Sequence, residues 1–330
     1  MPLIRLAGHE SLRKRLSDAI AHGTLPASLL LHGPAGGGKE RLALWIAARL
    51  LCDTPTAGGE PCEACAQCRY VLTGQHPDLH WYFPRPRLKD ADPDVEDVLE
   101  DLAEAISERL EKTGVWEPAA PTDSLYVATV RALVRRASMM PALAKRKVIV
   151  VADADRMIAQ EGSDQAANAF LKLLEEPSPG TNIILTTSSP GSLLPTIRSR
   201  VSAIRVAALP ASALKELAAL GVNAEKHTTS RKAAAAFISA AEGSVADRYR
   251  LAFVQGGAGA RGAFSETLDA LTALLAERAR EAAAAADERR TAGAARAVAL
   301  VEDARQLARQ NVNPQLISAR LLSQLTELIA

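Results

Sequence analysis

A chain of 330 residues, 48% of them apolar, is too long for one ordinary domain and rich enough in apolar side chains to bury more than one core. The formal net charge of +1 excludes a chain that binds nucleic acid through overall positive charge, leaving only a local patch for such work. No stretch of about eighteen apolar residues occurs, and the first residues lack the basic, apolar and small-residue order of a secretory signal. The expectation is therefore a cytoplasmic protein with no membrane partner.

In chain order, apolar spacing predicts a short helix over 11–22 through Leu12, Leu16, Ala19 and Ile20. Leu29-Leu30-Leu31 reads as a strand running into a glycine loop, and Leu42, Trp45, Ile46 and Leu50 give helical periodicity after it. A strand pattern of apolar and aromatic residues spans 79–83, and the Pro- and Asp-rich 84–94 reads as loop. Residues 95–112 carry a helical apolar stripe on an acidic background, closed by Pro118 and Pro121, and are expected to form a surface insertion. A helix is expected over 127–140, bearing Arg131, Arg135 and Arg136. Val148 to Val151 is apolar without alternation, as in a buried parallel strand. A helix over 164–176 and strands at 182–187 and 203–206 follow. This alternation specifies an α/β layer with a parallel sheet and flanking helices. Past residue 207 only helical stretches remain: 211–219, 230–241, 245–254, an alanine-rich 279–299 and 316–329, with a glycine-rich break at 256–262. Three domains are expected: 1–207, 208–257 and 258–330.

The loop Gly33-Pro34-Ala35-Gly36-Gly37-Gly38-Lys39 sits between predicted strand and helix, the context a phosphate-cradling loop requires. Backbone N–H groups freed by Gly33, Gly36, Gly37 and Gly38 would hold anionic oxygens, and Lys39 would reach the terminal phosphates. The next residue should carry a hydroxyl for Mg²⁺ and is Glu40. The first residue after the 148–151 strand, where a metal carboxylate would sit, is Ala152, followed by Asp153 and Asp155 in what reads as a solvated turn. ATP with Mg²⁺ is thus expected to be absent from this chain or held unproductively. Glu40 as an unusual metal ligand is the competing reading.

All four cysteines, Cys52, Cys62, Cys65 and Cys68, lie in one short stretch. Two C-x₂-C spacings supply adjacent thiolate ligands, which points to a closed, structural Zn²⁺ site in a module over 52–68, with the polar loop Asp53 to Glu60 as an unstructured excursion pinned by its ends. Free surface thiols or a four-cysteine iron–sulfur cluster are the alternatives.

The glycine loop, the four cysteines, His76-Pro77-Asp78, the run Asn168 to Pro177 and Pro195-Thr196-Ile197-Arg198-Ser199-Arg200 together resemble the bacterial clamp-loader branch of the AAA+ proteins. The resemblance implies an AAA+ α/β module with a four-cysteine zinc insertion, a small helical lid marked by Gly243-Ser244, and a C-terminal helical collar domain. It implies membership of a DNA polymerase III assembly with tau or gamma motor subunits, a delta subunit, the sliding clamp and primer-template DNA. In the family, motor subunits keep the loop hydroxyl, an Asp-Glu pair after the Val148 strand and a lid arginine. Here those places hold Glu40, Ala152 with Asp153, and Ala246, with Arg248 two residues on. Thr186 and Thr187 fall where the family has a polar sensor. A non-hydrolysing paralogue is the implied reading, and an active ATPase motor or a self-sufficient zinc-bearing DNA-binding module are its rivals. The Ser199-Arg200-Val201 segment matches the motif that places an arginine finger in a neighbour's ATP site, which makes Arg200 the implied catalytic residue.

Overall fold

The computed structural model describes residues 3, 6–34, 36–90, 92–111, 119–120, 122–157, 164–209, 213, 216, 225–254, 261–309 and 312–329. The chain divides into two compact units, one made by Met1–Gly33 and Gly37–Val222 and one whose main part is Asn223–Ala330.

The first unit is built on five strands: β1 (Ser28–His32), β2 (Leu79–Tyr82), β3 (Lys147–Val151), β4 (Thr181–Thr187) and β5 (Ser202–Arg205). Their order in the sheet is β2-β3-β4-β1-β5, and every pairing is parallel. Leu29, Leu30 and Leu31 of β1 and the whole of β3 and β4 are buried, as expected of strands covered on both faces. The helices that cover them are α1 (Glu10–Ala21), α2 (Lys39–Leu51), α3 (Ala66–Leu72), α4 (Val95–Glu111), α5 (Val127–Ser138), α6 (Asp164–Glu175) and the single turn α7 (Pro195–Arg198). Strand order along the sheet reverses around β1, and the carboxyl ends of strands at such a reversal are where open α/β sheets take ligands.

One expectation is corrected. The acidic helix α4 is not a surface insertion, because Val98, Leu102, Ala105 and Leu110 are buried in the same core as the sheet. Its acids Glu96, Asp97, Glu100, Glu104 and Glu108 point to solvent from the opposite face, so the charge that suggested an excursion is only half of an amphipathic helix. The polar loop 53–60 carries no helix or strand, as expected, and α3 starts directly after Cys65, whose sulfur accepts the Cys68 N–H at the helix N-terminus. Pro118 and Pro121 lie outside the described residues.

The second unit contains α8 (Glu225–Glu242), α9 (Val245–Val254), α10 (Arg261–Ala284), α11 (Glu288–Arg309) and α12 (Pro314–Ile329). Phe237, Phe264, Leu268, Leu271, Leu275, Val301, Leu322 and Leu325 form its core, and one apolar cluster runs from Ala234 to Leu325. Gly243-Ser244 marks the start of α9, where Ser244 and Asp247 exchange backbone and side-chain hydrogen bonds as a capping box. The alanine-rich tract is a helical hairpin, turned at Ala286 with φ 56°. Arg261 and Gly262, read as part of a glycine break, open α10. Most of the helix expected at 211–219 and the rest of that break lie outside the described residues. Among the described residues no helix is long and apolar enough to cross a membrane.

Candidate functional site

The glycine loop joins β1 to α2. Gly36 and Gly38 have φ of 69° and 74°, conformations that other residues seldom adopt. Gly33 passes so close to the Val206 carbonyl, just beyond β5, that a Cβ would overlap it. The Gly37 carbonyl oxygen lies 2.7 Å from His9 Nε2 at the start of α1. Lys39 is 6% exposed, and its ammonium donates to Ser188 Oγ at 3.0 Å.

Glu40 opens α2 and is not turned to solvent. One carboxylate oxygen accepts from the Trp81 indole N–H at 2.7 Å and from the Arg109 guanidinium at 2.8 Å. The side chains of Arg109 and Glu40 are 13% and 16% exposed. The guanidinium carbon stands 3.4 Å from the Phe83 ring centroid and 5.2 Å from that of Trp81. Arg109 is thus stacked on two aromatic rings while it neutralises Glu40, a desolvated arrangement in which cation–π attraction adds to the ion pair.

Past β3, Ala152 is buried and its N–H donates to the Tyr82 carbonyl at 2.8 Å. The turn that follows is not solvated as expected. Asp153 is half-buried with φ 44°, and its N–H donates to Thr186 Oγ1 at 3.2 Å. Burial, then the negative charges of Glu40 and Asp155, push its carboxyl up to about 6. The Thr187 hydroxyl donates to Asp155 at 2.5 Å and accepts from the Ser189 N–H at 2.9 Å. The two threonines at the end of β4 therefore brace the turn after β3.

The cysteines converge. Cys52 caps the end of α2, Cys65 caps the start of α3, and the four sulfurs all lie within 4.8 Å of one another. Cys62 and Cys68 sulfurs are 3.9 Å apart. Tetrahedral thiolate coordination at ~2.3 Å places sulfurs just under ~4 Å apart, so the donor set fits a metal ion such as zinc. Backbone N–H groups of Cys62, Cys65 and Cys68 point at the sulfurs of Cys52, Cys62 and Cys65 at 3.4, 3.2 and 3.4 Å. The Thr54 hydroxyl, followed by backbone N–H groups, pulls the Cys62 thiol down to about 6, whereas burial raises Cys52 and Cys68. The intervening loop is tied to α1 and α2. Glu60 accepts from Arg13 at 3.1 Å and from the Trp45 indole at 2.7 Å, and the Gly59 carbonyl accepts from Ser17 at 2.6 Å and Arg49 at 2.9 Å.

Arg200 follows α7 and is 29% exposed. It donates to Glu175 at 2.6 Å and to the Thr196 carbonyl at 2.8 Å. Arg131 and Arg135 pair with Asp92 and Glu96, so much of the basic face of α5 is neutralised within the chain. Arg248 of α9 donates to Thr326 at 2.6 Å. His76 and Asp78 are structural: the Asp78 carboxylate accepts the N–H groups of Ala142, Leu143 and Ala144. Sequence reading missed Arg109, Trp81 and the anchors of the cysteine loop. One signal for Arg109 existed, since it is the sole basic residue of α4.

Residues 8–210 match the family described as DNA polymerase III, delta subunit. The DNA polymerase III subunit delta' of Pseudomonas aeruginosa is 36% identical over 171 residues, covering 52% of this chain and 40% of that protein. The subunit of the same name in Bacillus subtilis is 29% identical over 203 residues, covering 62% and 49%. The chain thus spans less than half the length of these curated relatives. A solved gamma-subunit-related protein of Thermotoga maritima aligns at 16% identity with a TM-score of 0.40, covering 96% of this chain and 99% of that one. With the matched residues taking in the glycine loop, the cysteine cluster and Arg200, this chain belongs to the DNA polymerase III delta-subunit family of clamp-loader proteins.

Proposed function

We propose that the chain is the non-hydrolysing, delta-prime-type subunit of a clamp loader and that it supports loading of the sliding clamp on primed DNA. The observation that carries this reading is the fate of Glu40. The only side chain the loop offers at its metal position is bonded to Arg109 and Trp81. The second metal position holds the methyl group of Ala152, which ligates nothing. Neither half of a Mg²⁺ site fits, so this loop carries no hydrolytic step.

Arg200 acts instead on a nucleotide held by a neighbouring motor subunit. It is partly exposed and lies in a turn that the family motif identifies with the arginine finger. Its hold on Glu175, itself 45% exposed, is of the surface kind worth about 0–1 kcal/mol, so partner docking can redirect the guanidinium at little cost. Its planar fork then neutralises charge on a transferring phosphoryl group. Cys52, Cys62, Cys65 and Cys68 hold a structural Zn²⁺, which when bound crosslinks the end of α2 to the start of α3. The partners are tau or gamma motor subunits, a delta subunit, the clamp and primer-template DNA. DNA contact comes from helix N-termini and scattered basic residues of the α/β layer. The helices beyond residue 207 serve as lid (208–257) and collar (258–330). The test is DNA-stimulated ATPase of a loader reconstituted with motor and delta subunits. Replacing this chain by Arg200→Ala should lower turnover at least about tenfold while assembly persists. Unchanged turnover would reject the finger.

A further inference from the structure

Three features of the molecule stand outside that reading: an apolar stripe on α9, the exposed Met139–Met140 segment before β3, and the stacked guanidinium of Arg109. The last bears on chemistry. Arg109 comes from α4, 69 positions away from the residue that follows the loop lysine, and its Nη1 meets the same Glu40 oxygen that Trp81 meets. We propose that the Glu40–Arg109 pair is a built-in substitute for the divalent cation of the nucleotide loop, a fixed organic cation that holds the metal-position carboxylate and excludes Mg²⁺-nucleotide. This rests on the non-hydrolysing reading and gives it a cause: the loop is blocked by a cation, not merely short of a ligand.

The physical case is one of competition. A magnesium ion requires near-octahedral oxygen ligands and releases its waters reluctantly. To reach Glu40 it must displace a guanidinium that would stay trapped against Phe83 and Trp81, with two like charges then sharing one cavity. The Asp153 carboxylate adds to the negative charge that favours the Arg109 guanidinium. A carboxylate stands at the loop's hydroxyl position and α4's lone basic residue is bonded to it, a guanidinium where a metal ion would sit. Arg109 is in this sense a positioning residue that decides which cation the loop keeps.

The experiment measures Mn²⁺ binding to the full chain, with and without ATP, for wild type, Arg109→Met and Arg109→Met combined with Glu40→Gln. Methionine keeps the apolar stem and removes the charge. Mn²⁺–ATP affinity should rise at least about tenfold in Arg109→Met, and the gain should vanish in the double variant. A folded Arg109→Met chain whose Mn²⁺–ATP affinity equals that of wild type overturns the proposal. It would leave the non-hydrolysing reading intact, because ATP turnover by the wild type is scored separately. If Arg109→Met does not fold, the wild type decides through paramagnetic broadening of the Trp81 indole N–H signal by millimolar Mn²⁺. No broadening is expected, and broadening abolished by Glu40→Gln overturns the proposal.

Discussion

Asp153 illustrates how a single half-buried charge becomes a measurable quantity. Its folded value of about 6 lies above the ordinary aspartate value of 3.8, so the native state binds protons more tightly than the unfolded one. The native chain therefore loses stability as pH rises through this range, from about 4 to about 6, and the deficit persists at neutral pH. Asp153→Asn should raise stability at pH 7 by about 1–3 kcal/mol and give no gain at pH 4. Urea unfolding of both proteins across that range measures it, and a pH-independent difference would contradict the assignment. Arg200→Ala, by contrast, should change the stability of the isolated chain by less than about 1 kcal/mol, because its partner Glu175 is solvent-facing. At this scale the sequence was legible where a motif fixes neighbours along the chain. Gly33, Lys39, Glu40 and the cysteines all belong to such motifs. It was blind where the partner is remote, as with Arg109 on Glu40 and Arg49 on Gly59, since no local pattern records a contact closed only by the fold.

At the scale of elements, period decided what could be read. The strands and the helices α1, α2, α5, α6 and α12 follow directly from apolar spacing. Helix α4 was assigned to the right residues but to the wrong place. Its mean character is acidic while its buried stripe, Val98, Leu102, Ala105 and Leu110, is not, and it is the stripe that decides packing. Ala286 broke the alanine-rich tract unseen, because alanine at positive φ carries no sequence signal. The cysteine loop is an element whose order should depend on its metal. Chelation, or Cys62→Ser, should release the loop and with it the Glu60 bond to Trp45, seen as a red shift of tryptophan emission and a lower melting temperature. Unchanged emission and melting after complete zinc removal would rule out a structural site. Packing of α11 on α12 is equally specific: a Cβ at Gly293 would overlap the Leu328 carbonyl. Gly293→Ala should cost about 1–3 kcal/mol, despite the better helix propensity of alanine, by forcing the two helices apart. A neutral or stabilising effect in thermal unfolding would refute that contact.

As a whole molecule, the chain keeps a parallel α/β sheet with a glycine loop and, on the proposed reading, gives the metal positions of that loop other work. The glycine loop follows the carboxyl end of β1, between β4 and β5 in the sheet order. Lys39 is bonded to Ser188, Glu40 to Arg109 and Trp81, and the threonines of β4 to the turn after β3. On the proposed reading, chemistry for the assembly is left to Arg200, on the outside. The direct measurement is ATP turnover by the purified wild-type chain with Mg²⁺, set beside Lys39→Ala as the control for contaminating activity. Both proteins should release phosphate at the same background rate. Turnover by the wild type that Lys39→Ala abolishes would contradict a passive loop.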